Sequence, residues 1–240
     1  MFDTNKISDY LISYYKMTPE TPYEIKEIPA TQLLNHARFD LGAKLYFIHS
    51  YVTKKNGTLA KELYNSHIAA FQDGIIEEHG NRAKKGYENY QATLIQLIEA
   101  FQTDSFDAKK SYIPVDQNMC LLDGAHRTAC SIYFNKTVEI IMFPTIKAYT
   151  FDRNFFYKHA LEQEYLDLME YSLYAQGLDY NGKYDSQAHA REVLKINTME
   201  ENQAISISTK EKIRCKTIRF IRNRYTRLVI MIKKLLGMPV

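Results

Sequence analysis

Five consecutive residues, Asp123-Gly124-Ala125-His126-Arg127, set a carboxylate, an imidazole and a guanidinium around one glycine. At a strand-to-helix junction this run has the makings of an anion site. Gly124 permits a bend closed to most side chains, and the first N–H groups of the following helix have no intrahelical acceptor. A helix start also carries partial positive charge, so phosphate is stabilised there, and Arg127 adds a planar fork matched to two phosphate oxygens. His126 can donate to a further oxygen. Asp123 repels a phosphate unless it holds a metal, accepts a proton or orients a cation, which argues for a chemical role. A plainer reading stands beside this one: Asp123 caps the helix, Arg127 makes a surface ion pair and His126 packs in the core.

The elements that must position this loop follow from patterning. Tyr112–Asp116 and Met119–Leu122 read as strands joined by a Gln117-Asn118 turn, and the loop then runs into a helix over 126–134. Val138–Phe143 is a further strand, closed by Pro144. Upstream, 5–16 reads as a short helix with Asn5 as cap, and Tyr23–Ile28 as a strand ended by Pro29. The pattern is helical from Gln32 to Phe71, with a break at Lys54-Lys55-Asn56-Gly57, and again from Tyr87 to Phe101. Asp152–Tyr174 reads as an aromatic-rich helix, and 176–208 is polar and poorly periodic, a linker or cover.

The run Ile113-Pro114-Val115-Asp116 through Leu122-Asp123-Gly124-Ala125-His126-Arg127-Thr128-Ala129 resembles the core of the ParB/sulfiredoxin-like superfamily, whose hairpin leads into a D-G-x-H-R or G-C-H-R loop that grips nucleotide phosphates. The resemblance implies an α+β fold: a small mixed sheet of that type in residues 1–175, with a helical insertion at about 32–84. Ala125 stands where sulfiredoxins carry cysteine, so their activity is not implied. No helix-turn-helix pattern follows residue 145, which disfavours DNA partitioning. The loop is similar to that of the ADP-dependent free serine kinase branch, with Ala125 replacing that branch's first His and Glu88 falling beside its glutamate base. This likeness implies Glu88, Asp123, His126 and Arg127 as catalytic residues, and Gly124, Ala125, His126, Arg127 and Thr128 as the seat of ATP or ADP with Mg²⁺. It also extends to ParB-like proteins encoded with surface-polysaccharide and lipopolysaccharide assembly enzymes, which implies a kinase acting on a sugar or glycan intermediate. The alternatives are a non-catalytic nucleotide- or phosphosugar-binding module recruited to a membrane assembly, and a nucleotide hydrolase.

Two other groups are candidate substrate contacts: Arg38, Asp40 and Lys44, with Asp40 and Lys44 at i,i+4 as a surface ion pair in the simpler reading, and Lys110 with Ser111 at the mouth of strand 112–116. Lys84-Lys85, ahead of Glu88, could offset phosphate charge. The remaining histidines, His67 among them, lack zinc-ligand spacing and read as surface or packed residues, so no structural metal is expected.

Composition bounds the setting. The 240 residues suit one domain with extensions, and 45% hydrophobic with 25% charged residues excludes a disordered chain. Three cysteines without a C-x-x-C pair point to a reducing cytoplasm. From Thr209 to Val240 ten basic residues face one acid, a net +9 within a chain of net +3. Interleaved apolar residues make 209–240 a candidate basic amphipathic helix. An anionic membrane surface at the inner face is its expected partner, with docking on its own domain the alternative and nucleic acid disfavoured.

Overall fold

Val138, Ile140, Ile141 and Phe143 are all buried, so strand β5 (Thr137–Phe143) is covered on both faces and takes the centre of a three-stranded sheet. The computed structural model describes residues 3–18, 20–71, 77–78, 81–179 and the single positions 182, 185, 214 and 217, with backbone alone at 77–78, 81–84 and 109. Strand β1 (Glu24–Pro29) pairs antiparallel with one edge of β5, and β4 (Ile113–Asp116) pairs parallel with the other. β1 exposes Glu24, Lys26 and Glu27, charges that discourage pairing with other chains. Pro114 is tolerated because β4 is an edge strand.

Among the described residues, six named α-helices and a small hairpin surround this sheet alongside α5 (Ala125–Tyr133). They are α1 (Asp9–Tyr14), α2 (Asp40–Thr53), α3 (Gly57–Phe71), the β2–β3 pair (Glu77–Glu78 and Asn81–Lys85), α4 (Tyr87–Gln102), α6 (Arg153–Lys158) and α7 (Gln163–Ala175). Every residue of α2 from Asp40 to Ile48 is buried, so this helix is the axis of the core rather than an amphipathic cover. It packs on α3, α5 (Ala125–Tyr133) and α7. Gly42 makes the last contact possible: a Cβ there would lie 2.8–2.9 Å from the Met169 backbone, so any larger residue drives α2 and α7 apart.

The architecture is therefore α+β, as the patterning implies, with several boundaries corrected. The expected helix 5–16 is a 3₁₀ turn at Thr4–Lys6 followed by α1, whose cap is Ser8 rather than Asn5. The region 32–84 is not wholly helical: it opens on a 3₁₀ turn at Ala30–Leu33, reaches α2 only at Asp40 and closes in the β2–β3 hairpin. The strand expected at 119–122 shrinks to one bridge, Leu121 with Val115. Helix 152–174 is two helices, because Ala160 adopts a left-handed conformation (φ 66°) and the Leu161 amide turns back to the Phe156 carbonyl, sealing α6.

Of the stretch 209–240 only Arg214 and Thr217 are described, both helical; the rest of the candidate basic helix, and nearly all of 180–208, lies outside the described residues. Arg214 sits on the domain itself. It donates to the carbonyls of Tyr157 and Leu161 at 3.3 and 3.1 Å and covers the Tyr157 ring, a favoured place for a cation at the C-terminus of α6. No helix among the described residues is long and apolar enough to cross a membrane.

Candidate anion site at the start of α5

The route from β4 into α5 is a tight reversal. Asp116 is buried, and its carboxylate accepts the amides of Asn118, Cys120 and Ala148 at 2.8, 3.0 and 3.1 Å. With Met119 left-handed (φ 60°), the chain returns along β4, and Leu122 donates its amide to Pro114. The loop therefore ends beside the residues that lead into β4, which is why Arg127 reaches Ser111.

Gly124 caps α5 in the left-handed region (φ 82°), with no side-chain cap on the helix. Its positive φ is what requires glycine, and a Cβ there would also lie 2.9 Å from the Arg127 guanidinium, which would have to shift. The Arg127 guanidinium thus lies beside the glycine, at the end of the helix where the amides of Ala125 and Arg127 find no acceptor among the described residues. Its Nη1 donates to the Ser111 carbonyl at 3.4 Å and to the Ser111 hydroxyl. No carboxylate pairs with it among the described residues. Burial holds its pKa below the usual arginine value, with Asp123 pulling weakly the other way. A partly desolvated guanidinium beside unpaired amides is an arrangement that an anion stabilises.

The other two charged or polar members of the loop are anchored elsewhere. Asp123 accepts the Gly124 amide at 2.6 Å on one oxygen and the Ser8 hydroxyl at 3.1 Å on the other. His126 Nε2 meets the Tyr64 hydroxyl at 2.7 Å. Thr128 is buried and donates its hydroxyl to the Gly124 carbonyl. Two parts of the plainer reading of the motif are thus absent among the described residues: Arg127 makes no surface ion pair there, and Gly124 rather than Asp123 occupies the N-cap.

Behind the loop lies a buried polar chain. Arg38, Asp40 and Lys44, at 6%, 1% and 4% exposure, form no surface pair and line no open face. Arg38 grips Asp40 with both arms of its fork at 2.8 and 2.9 Å and donates its remaining arm to the Leu121 carbonyl at 2.7 Å. Lys44 donates to Asp40 at 2.8 Å and to His67 Nε2 at 3.2 Å, and His67 Nδ1 meets the Tyr64 carbonyl at 2.5 Å. Burial pushes the Asp40 carboxyl up, but Arg38 and Lys44 outweigh it and hold it far below the usual carboxylate range. For His67, burial and then Lys44 push its pKa well below the ordinary value.

This places a pH dependence on folding. His67 stays neutral in the native state yet titrates near pH 6.5 once unfolded. Below that pH the unfolded chain binds the extra proton, so stability is full above about pH 6.5 and falls as the pH drops. Asp40 extends the loss below about pH 4, where its unfolded carboxylate protonates first. Denaturant titrations between pH 7.5 and 5 should show stability falling toward the one-proton limit of about 1.4 kcal/mol per unit, and His67→Gln should flatten that slope.

The structure thus brings together Asp123, Gly124, Ala125, His126, Arg127, Thr128 and Ser111, with exposed Lys110 next in chain to the last. Glu88 is not joined to them: it is exposed in the first turn of α4, and no hydrogen bond or ion pair among the described residues ties it to the loop. Sequence reasoning missed Ser8 and Tyr64. Ser8 was legible only as a cap for α1, whereas Tyr64 lies one helical turn from His67 on the buried face of α3. Compared with family models, curated proteins and solved structures, the chain matches none.

Proposed function

We propose that this chain is a nucleotide-dependent phosphotransferase that seats the terminal phosphates of ATP or ADP on the start of α5. The observation that carries the reading is Arg127, which lies beside Gly124 and helix amides, with neither a carboxylate partner for the one nor an acceptor for the others among the described residues. The motif's likeness to the ParB/sulfiredoxin-like superfamily, and to its serine kinase branch, supports a nucleotide as the anion. Asp123 fits a ligand of Mg²⁺, since each of its oxygens carries one hydrogen bond and keeps lone pairs, and Mg²⁺ usually takes few protein ligands beside phosphate and water. Bound there, the ion would offset charge on the phosphate oxygens.

An acceptor hydroxyl attacks the terminal phosphorus in line while the bond to the leaving nucleotide breaks. Glu88 takes the hydroxyl proton once α4 brings it over the loop, or Asp123 does so in place of holding the metal. Arg127 and the α5 amides stabilise the charge gathering on the equatorial oxygens, with His126 donating to a further one. The acceptor is a sugar or glycan intermediate of surface-polysaccharide assembly, and 209–240 serves recruitment to anionic lipid at the inner face of the membrane.

One observation favours a second reading, a binding module without turnover: both oxygens of Asp123 are already engaged and Glu88 stands apart. Calorimetry with ATP, ADP and CTP in Mg²⁺, followed by mass analysis of products with sugar acceptors, separates them. Binding with phosphoryl transfer supports the kinase, binding alone supports the module, and failure to bind any of the three overturns both.

A further inference from the structure

We propose that Tyr64 is the positioning residue of the α5 loop, its phenol donating to His126 Nε2 and fixing the imidazole as the neutral Nδ1–H tautomer. The inference deepens the reading above, on which it rests only for the identity of the anion that His126 meets.

The directions of the hydrogen bonds follow from what each group can do. The Lys44 ammonium only donates, so His67 Nε2 accepts from it, and His67 carries its proton on Nδ1, where it bonds the Tyr64 carbonyl. That places the start of the chain beyond ambiguity. Two acceptors stand near the Tyr64 hydroxyl among the described residues, the Tyr90 carbonyl at 3.4 Å and His126 Nε2 at 2.7 Å. The single phenolic proton is assigned to the shorter contact, at the optimum for a strong bond, rather than to the one at the limit; the opposite arrangement, with Nε2–H donating to the phenol and the phenol to the Tyr90 carbonyl, is the one that overturns the assignment. An imidazole that accepts on Nε2 keeps its hydrogen on Nδ1, which becomes the ring's only donor.

Tyr64 is held for this task from behind. It is fully buried, its ring lies 5.0 Å from that of Phe47 and 4.9 Å from that of His67, and its carbonyl anchors the Lys44 end of the Arg38–Asp40–Lys44–His67 chain. The other end of the chain grips Leu121, two residues ahead of Asp123. One buried network from Arg38, α2 and α3 therefore clamps the loop on both sides, at Leu121 and at His126, as expected of a supporting shell around a binding site.

The test is Tyr64→Phe, which removes one hydroxyl and leaves the ring. Protein labelled with ¹⁵N-histidine, with His126→Gln to assign the signal, reports the tautomer directly. The parent should show His126 with an unprotonated Nε2, and Tyr64→Phe should lose that preference. A parent signal with hydrogen on Nε2, or a His126 signal that Tyr64→Phe leaves unchanged, overturns the proposal. Should Tyr64→Phe fail to fold, 3-fluorotyrosine placed at position 64 keeps the shape and acidifies the phenol: a moved Nε2 resonance supports the assignment and an unmoved one overturns it. Pyrophosphate serves as the binding probe, with affinity expected to fall about tenfold in Tyr64→Phe, the low end for loss of an orienting partner. If the parent binds neither pyrophosphate nor ADP, the nucleotide reading fails while the tautomer measurement still decides the role of Tyr64.

Discussion

Replacing Arg127 by methionine should weaken the binding of ADP and pyrophosphate about 100-fold, from the loss of charge-assisted hydrogen bonds worth up to about 3 kcal/mol, while the thermal midpoint stays put or rises. The two outcomes are linked by the same geometry. The guanidinium is largely withdrawn from water, which depresses its pKa more than Asp123 raises it, and no carboxylate pairs with it among the described residues; Ser111 is its hydrogen-bond partner there. Methionine fills the space beside Gly124 without a desolvated charge, so the fold loses little. An anion loses its principal contact. Turnover, where present, falls further, since charge on the transferring group grows in the transition state. Calorimetry and a thermal melt on the same sample check both halves. A large fall in midpoint with unaltered affinity would make Arg127 a structural residue and remove the main support for the nucleotide site.

Asp40→Ala should produce the largest loss of stability in the chain, about 3–5 kcal/mol, because it strands two buried cations, Arg38 and Lys44, that now share one carboxylate. For a domain of this size that corresponds to a midpoint lowered by about 10 °C. The same arithmetic predicts the rescue. Replacing Arg38, Asp40 and Lys44 together by methionine, leucine and methionine should restore most of the stability, since a hydrophobic trio carries no desolvation penalty. It should not restore the site, because the Leu121 carbonyl loses the Arg38 donor that holds the approach to the loop. Denaturant unfolding of the single and triple variants separates these effects, and a triple variant as unstable as Asp40→Ala would contradict the account.

The loop and the elements on either side of it were legible because their determinants are local. A glycine that only a left-handed turn explains, an arginine three residues on and two flanking apolar strands leave few alternatives at Gly124, and β1, β4, β5 and α4 begin within a residue or two of where patterning puts them. Helix ends were harder. In this chain Lys16, Asp104, Asn135 and Ala160 take the left-handed closing position that glycine usually marks, so the stops of α1 and α6 carry no signal in composition.

The sequence by itself thus determined the α+β class, the glycine turn that opens α5 and the asymmetry of charge between body and tail, since each depends on residues adjacent in the chain. Only the tertiary structure decided where the charges go. Asp40 and Lys44 at helical spacing look the same on a surface as in a core, and it is α2 lying among α3, α5 and α7 that buries them. The pairing of Tyr64 with His126 spans 62 positions, and that of Ser8 with Asp123 spans 115. Such contacts exist only after the helices have packed, because a hydrogen bond between distant residues is specified by the shape of the whole core and by no local pattern.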